Sequence, residues 1–154
     1  MPSADLLVDL YQQTFKLPEL KVTIKRVLSP DSDQVLDFIG TNFSSRWVSE
    51  AKAGLFKPQP TCFVAVDEQK IIGFACYDAT AKGFFGPMGV HPSYRKHGIG
   101  SALVIKCLEA MFFDGYGYAI IGAVSEHTQH FYHQVCGATP IENSRNVYRR
   151  LIDR

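Results

Sequence analysis

The stretch RKHGIGS, Arg95 to Ser101, sets basic side chains and two glycines directly ahead of ALVIKCLEAM, a run with helical spacing. A loop of small residues that enters a helix lets backbone N–H groups converge on one point, where the helix dipole also favours negative charge. The guest that suits such a loop is a phosphate or pyrophosphate. Gly98 and Gly100 admit it because a Cβ would block close approach and disfavour positive φ. Arg95 and Lys96 add charge at the rim, and His97 stands in the loop near the phosphate. Taken alone, G-x-G before a helix describes a packing turn equally well. Two other phosphate loops are excluded residue by residue. Ser101-Ala102 follow Gly100 where G-x-x-x-x-G-K-[ST] needs a lysine, and G-x-G-x-x-G fails at Leu103.

A second group with potential chemistry is HTQHFYH, where His127, His130 and His133 recur every third residue. On a helix the outer pair differs by about 600°, or about 240° modulo a turn, so the three imidazoles diverge and no metal site is expected. Cys62, Cys76, Cys107 and Cys136 form no C-x-x-C pair and read as reduced core thiols, which suits a cytosolic compartment. With 16 Lys+Arg against 15 Asp+Glu the net charge is +1, so no global field favours nucleic acid or an anionic membrane. The start, MPSADLLVDLY, lacks the pattern of a leader peptide, and no apolar run approaches the roughly 18 residues of a membrane span. A soluble, cytoplasmic protein is expected.

The elements that must position these residues follow from periodicity. KVTIKRVL (21–28) reads as a strand, and Ser29-Pro30 opens a helix with Val35, Leu36, Ile39 and Phe43 on one face. A second helix from Ser44 or Ser45 carries Trp47, Val48 and Ala51 and stops at Gly54. TCFVAV (61–66), the turn DEQK and IIGFACY (71–77) read as a hairpin. FFGPMGV (84–90) is β-rich but interrupted by Gly86-Pro87, which a fully paired central strand does not tolerate. The helix after Gly98 puts Leu103, Cys107, Leu108 and Met111 on one face and ends near Asp114-Gly115. YAIIGAV (118–124) predicts a strand buried on both faces. A short helix over 128–135 ends at Gly137, and ATPI with VYRRLI (147–152) forms a closing pair of strands. Residues 1–20 stay open: Leu6, Leu7, Leu10 and Tyr11 fit a helix face, while LLVDLY also passes as a strand. The order β-α-α-β-β-β-α-β-α-β-β over residues 1–154 is one domain, a mixed-sheet α/β layer sandwich.

Three pieces now stand in order. The loop spells R-x-x-G-x-G by Arg95, Gly98 and Gly100. The broken strand ends in Met88-Gly89-Val90-His91-Pro92. Further on comes Phe131-Tyr132, with Gly137 one residue later than F-Y-x-x-x-G would put it. Together they resemble the GNAT superfamily of N-acetyltransferases over about residues 21–152. The resemblance implies an α+β fold, a three-layer α/β/α sandwich whose mixed, mostly antiparallel sheet has a bulged fourth strand splayed from the fifth. It implies acetyl-CoA as acetyl donor. The pyrophosphate then lies on Arg95, Lys96, His97, Gly98, Ile99, Gly100 and Ser101, and the pantetheine arm on Met88, Gly89 and Val90. Gly89 is read as leaving room for the thioester.

The activity implied is transfer of the acetyl group to a primary amine, directly in a ternary complex. A binding module that holds acyl-CoA without turnover is the rival reading. Such transfer needs a neutral nucleophile, stabilisation of the oxyanion and a proton for the thiolate. A backbone N–H at Gly89 or Val90 serves the oxyanion. Tyr132 matches the family's general acid, though it reads also as a residue that only lines the cofactor pocket. For the base, Glu126 and Asp78 lie at strand ends, and a water chain is the other option. Ser125 stands where the family often has Asn. Arg46, Trp47, Phe56 and Tyr148 are candidates for the acceptor site, Trp47 reading also as core. As partners the resemblance implies a small-molecule or peptide amine and leaves room for a homodimer; no nucleic acid and no membrane are expected.

Overall fold

Seven strands hydrogen-bond into one sheet in the order β2-β3-β4-β5-β6-β1-β7 in the computed structural model, which describes residues 3–144 and 147–153. They are β1 (Ala4–Asp9), β2 (Thr23–Arg26), β3 (Cys62–Asp67), β4 (Lys70–Tyr77), β5 (Phe84–Val90), β6 (Tyr118–Val124) and β7 (Thr139–Pro140). Four helices flank them: α1 (Ser32–Asn42), α2 (Ser45–Leu55), α3 (Ile99–Phe113) and α4 (Glu126–Cys136). Alternation along β3 and β4 sorts the two outer layers. Cys62, Val64, Phe74 and Cys76 pack with Val35, Ile39, Ala51 and Leu55 of α1 and α2. Phe63, Ala65, Ile72 and Ala75 point the other way, into a core with Leu103, Cys107, Met111, Tyr132 and Cys136 of α3 and α4. The result is the three-layer arrangement expected, with all pairings antiparallel except β5 to β6.

Local signals act as read. Ser29-Pro30 opens a short 3₁₀ turn that leads into α1, and the Ser44 hydroxyl caps α2 by accepting from the Trp47 N–H. The hairpin turn is two residues, Glu68 and Gln69, both with positive φ. Gly137, with φ 70°, ends α4 in the left-handed conformation that favours glycine. All four cysteines are buried and free. Among the described residues no helix is long and apolar enough to cross a membrane.

The differences lie at the two ends of the chain. The open N-terminal segment is strand β1, which inserts between β6 and β7, followed by a 3₁₀ turn at Leu10–Gln12. Because β1 covers the edge of β6, β6 is paired along its length, yet its burial alternates instead of being complete on both faces. The closing pair of strands is reduced to the two residues of β7, and Tyr148–Arg150 form a 3₁₀ turn. The second helix runs through Gly54 to Leu55; Gly54 serves close packing, since a Cβ there would meet the Thr61 carbonyl and Cys76.

Asp5 is 5% exposed and anchors this N-terminal insertion. Its carboxylate accepts from the Ala123 N–H at 2.8 Å, where β1 and β6 slip register and Ala123 takes φ 50°. Asp5→Ala removes the acceptor of this partly buried bond, and chemical denaturation is expected to register a loss of about 0.5–1.5 kcal/mol.

Candidate active site

Strands β5 and β6 run parallel, but only Phe84 with Ile120 and Phe85 with Ile121 face each other. Beyond that point they part. The cause lies in Gly86-Pro87: these two residues stand opposite the single Cys76 of β4, a bulge that re-aims the rest of β5, and Pro87 has no N–H to offer a neighbour. The peptide bond between them is cis. The parted strands enclose a cleft of about 460 Å³ lined from β5 by Phe85, Gly86, Pro87 and Met88 and from β6 by Ile121 to Val124.

Alternation fixes which backbone groups face this V. The His91 N–H donates to the Ile72 carbonyl at 2.8 Å, so residues 91 and 72 are a bonded pair. Two residues on, Gly89 and Phe74 are the next bonded pair, and Met88 and Val90 turn their N–H and C=O away from β4. Arg95 Nε donates to the Val90 carbonyl at 3.1 Å, which leaves the Val90 N–H for a guest. Gly89, by contrast, presses against the Phe43 ring, and a Cβ at Gly89 would collide with that ring. Phe43 therefore fills the space that the sequence reading kept for a thioester.

The loop after β5 ends at Gly98, whose φ of 80° sets the turn into α3. The first bond inside that helix runs from the Ala102 N–H to the Gly98 carbonyl, so the amides of Ile99, Gly100 and Ser101 keep the free orientation of a first helical turn. No side chain caps them. Arg95, Lys96 and His97 are exposed beside them. The Phe131 ring stands at ordinary contact distance, 3.5 Å, from where a Cβ on Gly100 would sit. An anion fits here: the first-turn amides and the positive helix end lie beside the exposed Arg95 and Lys96.

Tyr132 lines the V from the α3 and α4 side. Packed edge-on against Phe85 and Phe131, it is 7% exposed, and burial pushes its phenol well above the ordinary range. It thus stays protonated and can donate. Ser125, the residue before α4, lines the same cleft, whereas Glu126 is exposed on the first turn of α4. The Asp78 carboxylate accepts from the Gly83 N–H at 2.8 Å and the Tyr116 hydroxyl at 2.9 Å, which ties it to a turn. Of the acceptor candidates, Arg46, Trp47 and Tyr148 line a second cavity of about 830 Å³ next to the V. Phe56 stands apart, against the outer faces of α1 and α2.

Two residues in the cleft carried no sequence signal. Glu50 and Thr80 line both cavities, and the Thr80 hydroxyl donates to Glu50 Oε2. Neither belongs to a motif; only the fold, by laying α2 across the mouth of the V, brings them there. Tyr148, besides its acceptor-side position, lies over Gly122 of β6, where a Cβ would collide with its ring. Burial first, then the Glu50 and Asp5 carboxylates, push its phenol up to about 12.

A profile of the acetyltransferase (GNAT) family matches residues 27–138. No curated protein matches the chain. Among solved structures, the chain is similar to the glucosamine N-acetyltransferase region of a fungal multi-domain GH3 β-N-acetylglucosaminidase, at 17% identity and a TM-score of 0.72 over 92% of this chain and 20% of that one. It is also similar to a GCN5-related N-acetyltransferase from Kribbella flavida, at 18% identity and a TM-score of 0.66 over 91% and 55% of the two chains. A GNAT family N-acetyltransferase from Escherichia coli, solved with CoA, aligns at 19% identity and a TM-score of 0.50 over 66% and 62%. At these identities the likeness is one of fold, and the chain spans less than two thirds of each of these proteins.

Gly100→Val sets a branched side chain at the first-turn amides, where a Cβ would stand 3.5 to 4.0 Å from Phe131, Val90 and Met88. Titration of the variant with CoA, once circular dichroism shows it to be folded, is expected to show loss of most of the affinity of the parent. Equal affinity would reduce the glycine loop to a turn.

Proposed function

Because the chain belongs to the acetyltransferase (GNAT) family, we propose that it is an acetyl-CoA-dependent N-acetyltransferase that delivers the acetyl group to a primary amine directly, within a ternary complex. The observation that carries this reading is the V itself: two strands that pair over two residues and then part, leaving Met88 and Tyr132 on the walls of one cleft, with the Val90 N–H turned away from β4 two residues further along β5. Acetyl-CoA supplies an acetyl group on a thioester. The amides of Ile99, Gly100 and Ser101, with Arg95, Lys96 and His97, hold the pyrophosphate, and Met88 and Val90 offer the backbone groups against which the pantetheine arm lies as an added strand would. Ser125 contributes at the mouth.

The Val90 N–H stabilises the oxyanion that develops on the carbonyl as the amine attacks. Of the two amides considered from sequence, Gly89's is directed at β4 and Val90's at the cleft. Tyr132 protonates the departing sulfur. The low-dielectric setting that holds its proton also favours a neutral thiol over a thiolate, so the donor and the developing base are matched by the same burial.

Tyr132→Phe keeps the ring packing and removes the donor. Assayed by thiol release with the best amine from a broad panel, at saturating acetyl-CoA, the variant is expected to lose roughly 10²–10⁴-fold in kcat while its affinity for acetyl-CoA changes little. A kcat within about threefold of the parent, below that range, would assign protonation to water. Tight CoA binding with no amine accelerating thiol release would favour the binding-module reading instead.

A further inference from the structure

The V and the neighbouring cavity share four wall residues, Trp47, Glu50, Thr80 and Tyr148. This throat connects the side of the sheet that carries α3 and α4 with the side that carries α2. Resting on the acetyltransferase reading, we infer that Glu50 receives the acceptor amine at this throat and is the general base that takes its proton.

Geometry and elimination both lead there. Glu50 stands in the interior of α2, so its backbone is rigid, and the Thr80 hydroxyl holds Oε2, leaving Oε1 as the oxygen for the amine. The other carboxylates near the cleft are engaged elsewhere. Asp5 is buried and bonded to Ala123, Asp78 is tied to its turn, and Asp153 pairs with Arg46 at 3.5 Å on the rim. Glu126 sits on the exposed turn of α4, on the helix that also carries Tyr132. A base on that layer would share the acid's side of the sheet. Glu50 approaches from the opposite layer, so acid and base flank the reacting atoms instead of pairing with each other.

The protons balance. An alkylammonium that enters gives one proton to Glu50, which passes it to water. As the nitrogen bonds to the acetyl carbon and the carbon–sulfur bond breaks with its electron pair on sulfur, the nitrogen loses a second proton, again to Glu50. The sulfur takes one proton from Tyr132, which is restored from solvent. Net, ammonium and thioester become amide, thiol and one released proton.

Trp47 is the single tryptophan of the chain, so its emission reports on the throat without labelling. Titration of CoA-bound protein with n-butylammonium is expected to perturb Trp47 in the parent and to require a far higher concentration in Glu50→Gln. That variant is isosteric, and Thr80 can still donate to its amide oxygen, so an unchanged CoA affinity and melting temperature mark it as folded. In turnover, Glu50→Gln should lose roughly 10²-fold or more in kcat with n-butylamine, as removal of a general base does. It should lose less with trifluoroethylamine, which is largely neutral at neutral pH and spares Glu50 the first of the two protons. Equal losses on both amines, retention of butylamine turnover within threefold, or a Trp47 signal blind to butylammonium would each overturn the inference. A parent that binds the amine at Trp47 yet acetylates neither amine would instead overturn the acetyltransferase reading, and with it the base role.

Discussion

Everything in the cleft depends on one missing interaction, the ladder that β5 and β6 do not complete beyond Phe85 and Ile121. A strand edge opened inside a sheet exposes backbone groups that must find partners or remain costly. Here side chains supply most of them. Pro87 removes one donor outright, and the Val90 carbonyl is taken by Arg95. On the other wall, the Ala123 N–H goes to Asp5 and the Val124 carbonyl to Gln129 Nε2 at 3.0 Å. What is left open on β5 are the backbone groups of Met88 and the Val90 N–H, which the proposed function gives to the pantetheine arm and the oxyanion. Substitution of strand pairing by scattered side chains keeps the V from closing and leaves these groups unspent.

The same gap lets the two helical layers meet. Elsewhere the sheet separates α1 and α2 from α3 and α4, and the cores on its two faces share no buried residue. At the V, Tyr132 from one layer and Glu50 from the other line one cavity. The aromatic group of Phe38, Phe43, Trp47 and Phe74, with ring centroids 5.3 to 6.5 Å apart, braces α1 and α2 against β4 and presses on Gly89. That contact explains Gly89 by packing on the α1 and α2 side, and it fixes where β5 lies beneath the throat.

How far the sequence disclosed this depends on whether the signal was local. Gly86-Pro87 announced the break because proline and glycine act on their own backbone, and R-x-x-G-x-G announced the anion loop for the same reason. The hairpin turn, the Ser44 cap and the Gly137 stop were equally local. β1 was ambiguous because a six-residue apolar run has no period long enough to separate helix from strand, and its pairing partners lie more than 100 residues away. YAIIGAV looked doubly buried since small and apolar residues fill both faces, although only alternate positions reach the core. Glu50 and Thr80 could not be found at all: a lone carboxylate within a helix and a threonine in a loop acquire meaning only from the gap they face.

Tyr132 and Tyr148 both reach the V, and their places in the fold, not their acidity, separate the roles proposed for them. Burial raises both phenols, Tyr132 the further, so each keeps its proton until a strong base needs it. For Tyr148 the Glu50 and Asp5 carboxylates add to the rise. Tyr132 stands on α4, edge-on to Phe85 at the point where β5 and β6 part, in the layer that also carries the anion loop at the start of α3. Tyr148 lies over Gly122 and shares the throat with Glu50. On the proposed reading, a cofactor anchored at α3 therefore brings its sulfur to the layer of Tyr132, and Tyr148 is left to shape the throat by which the amine arrives.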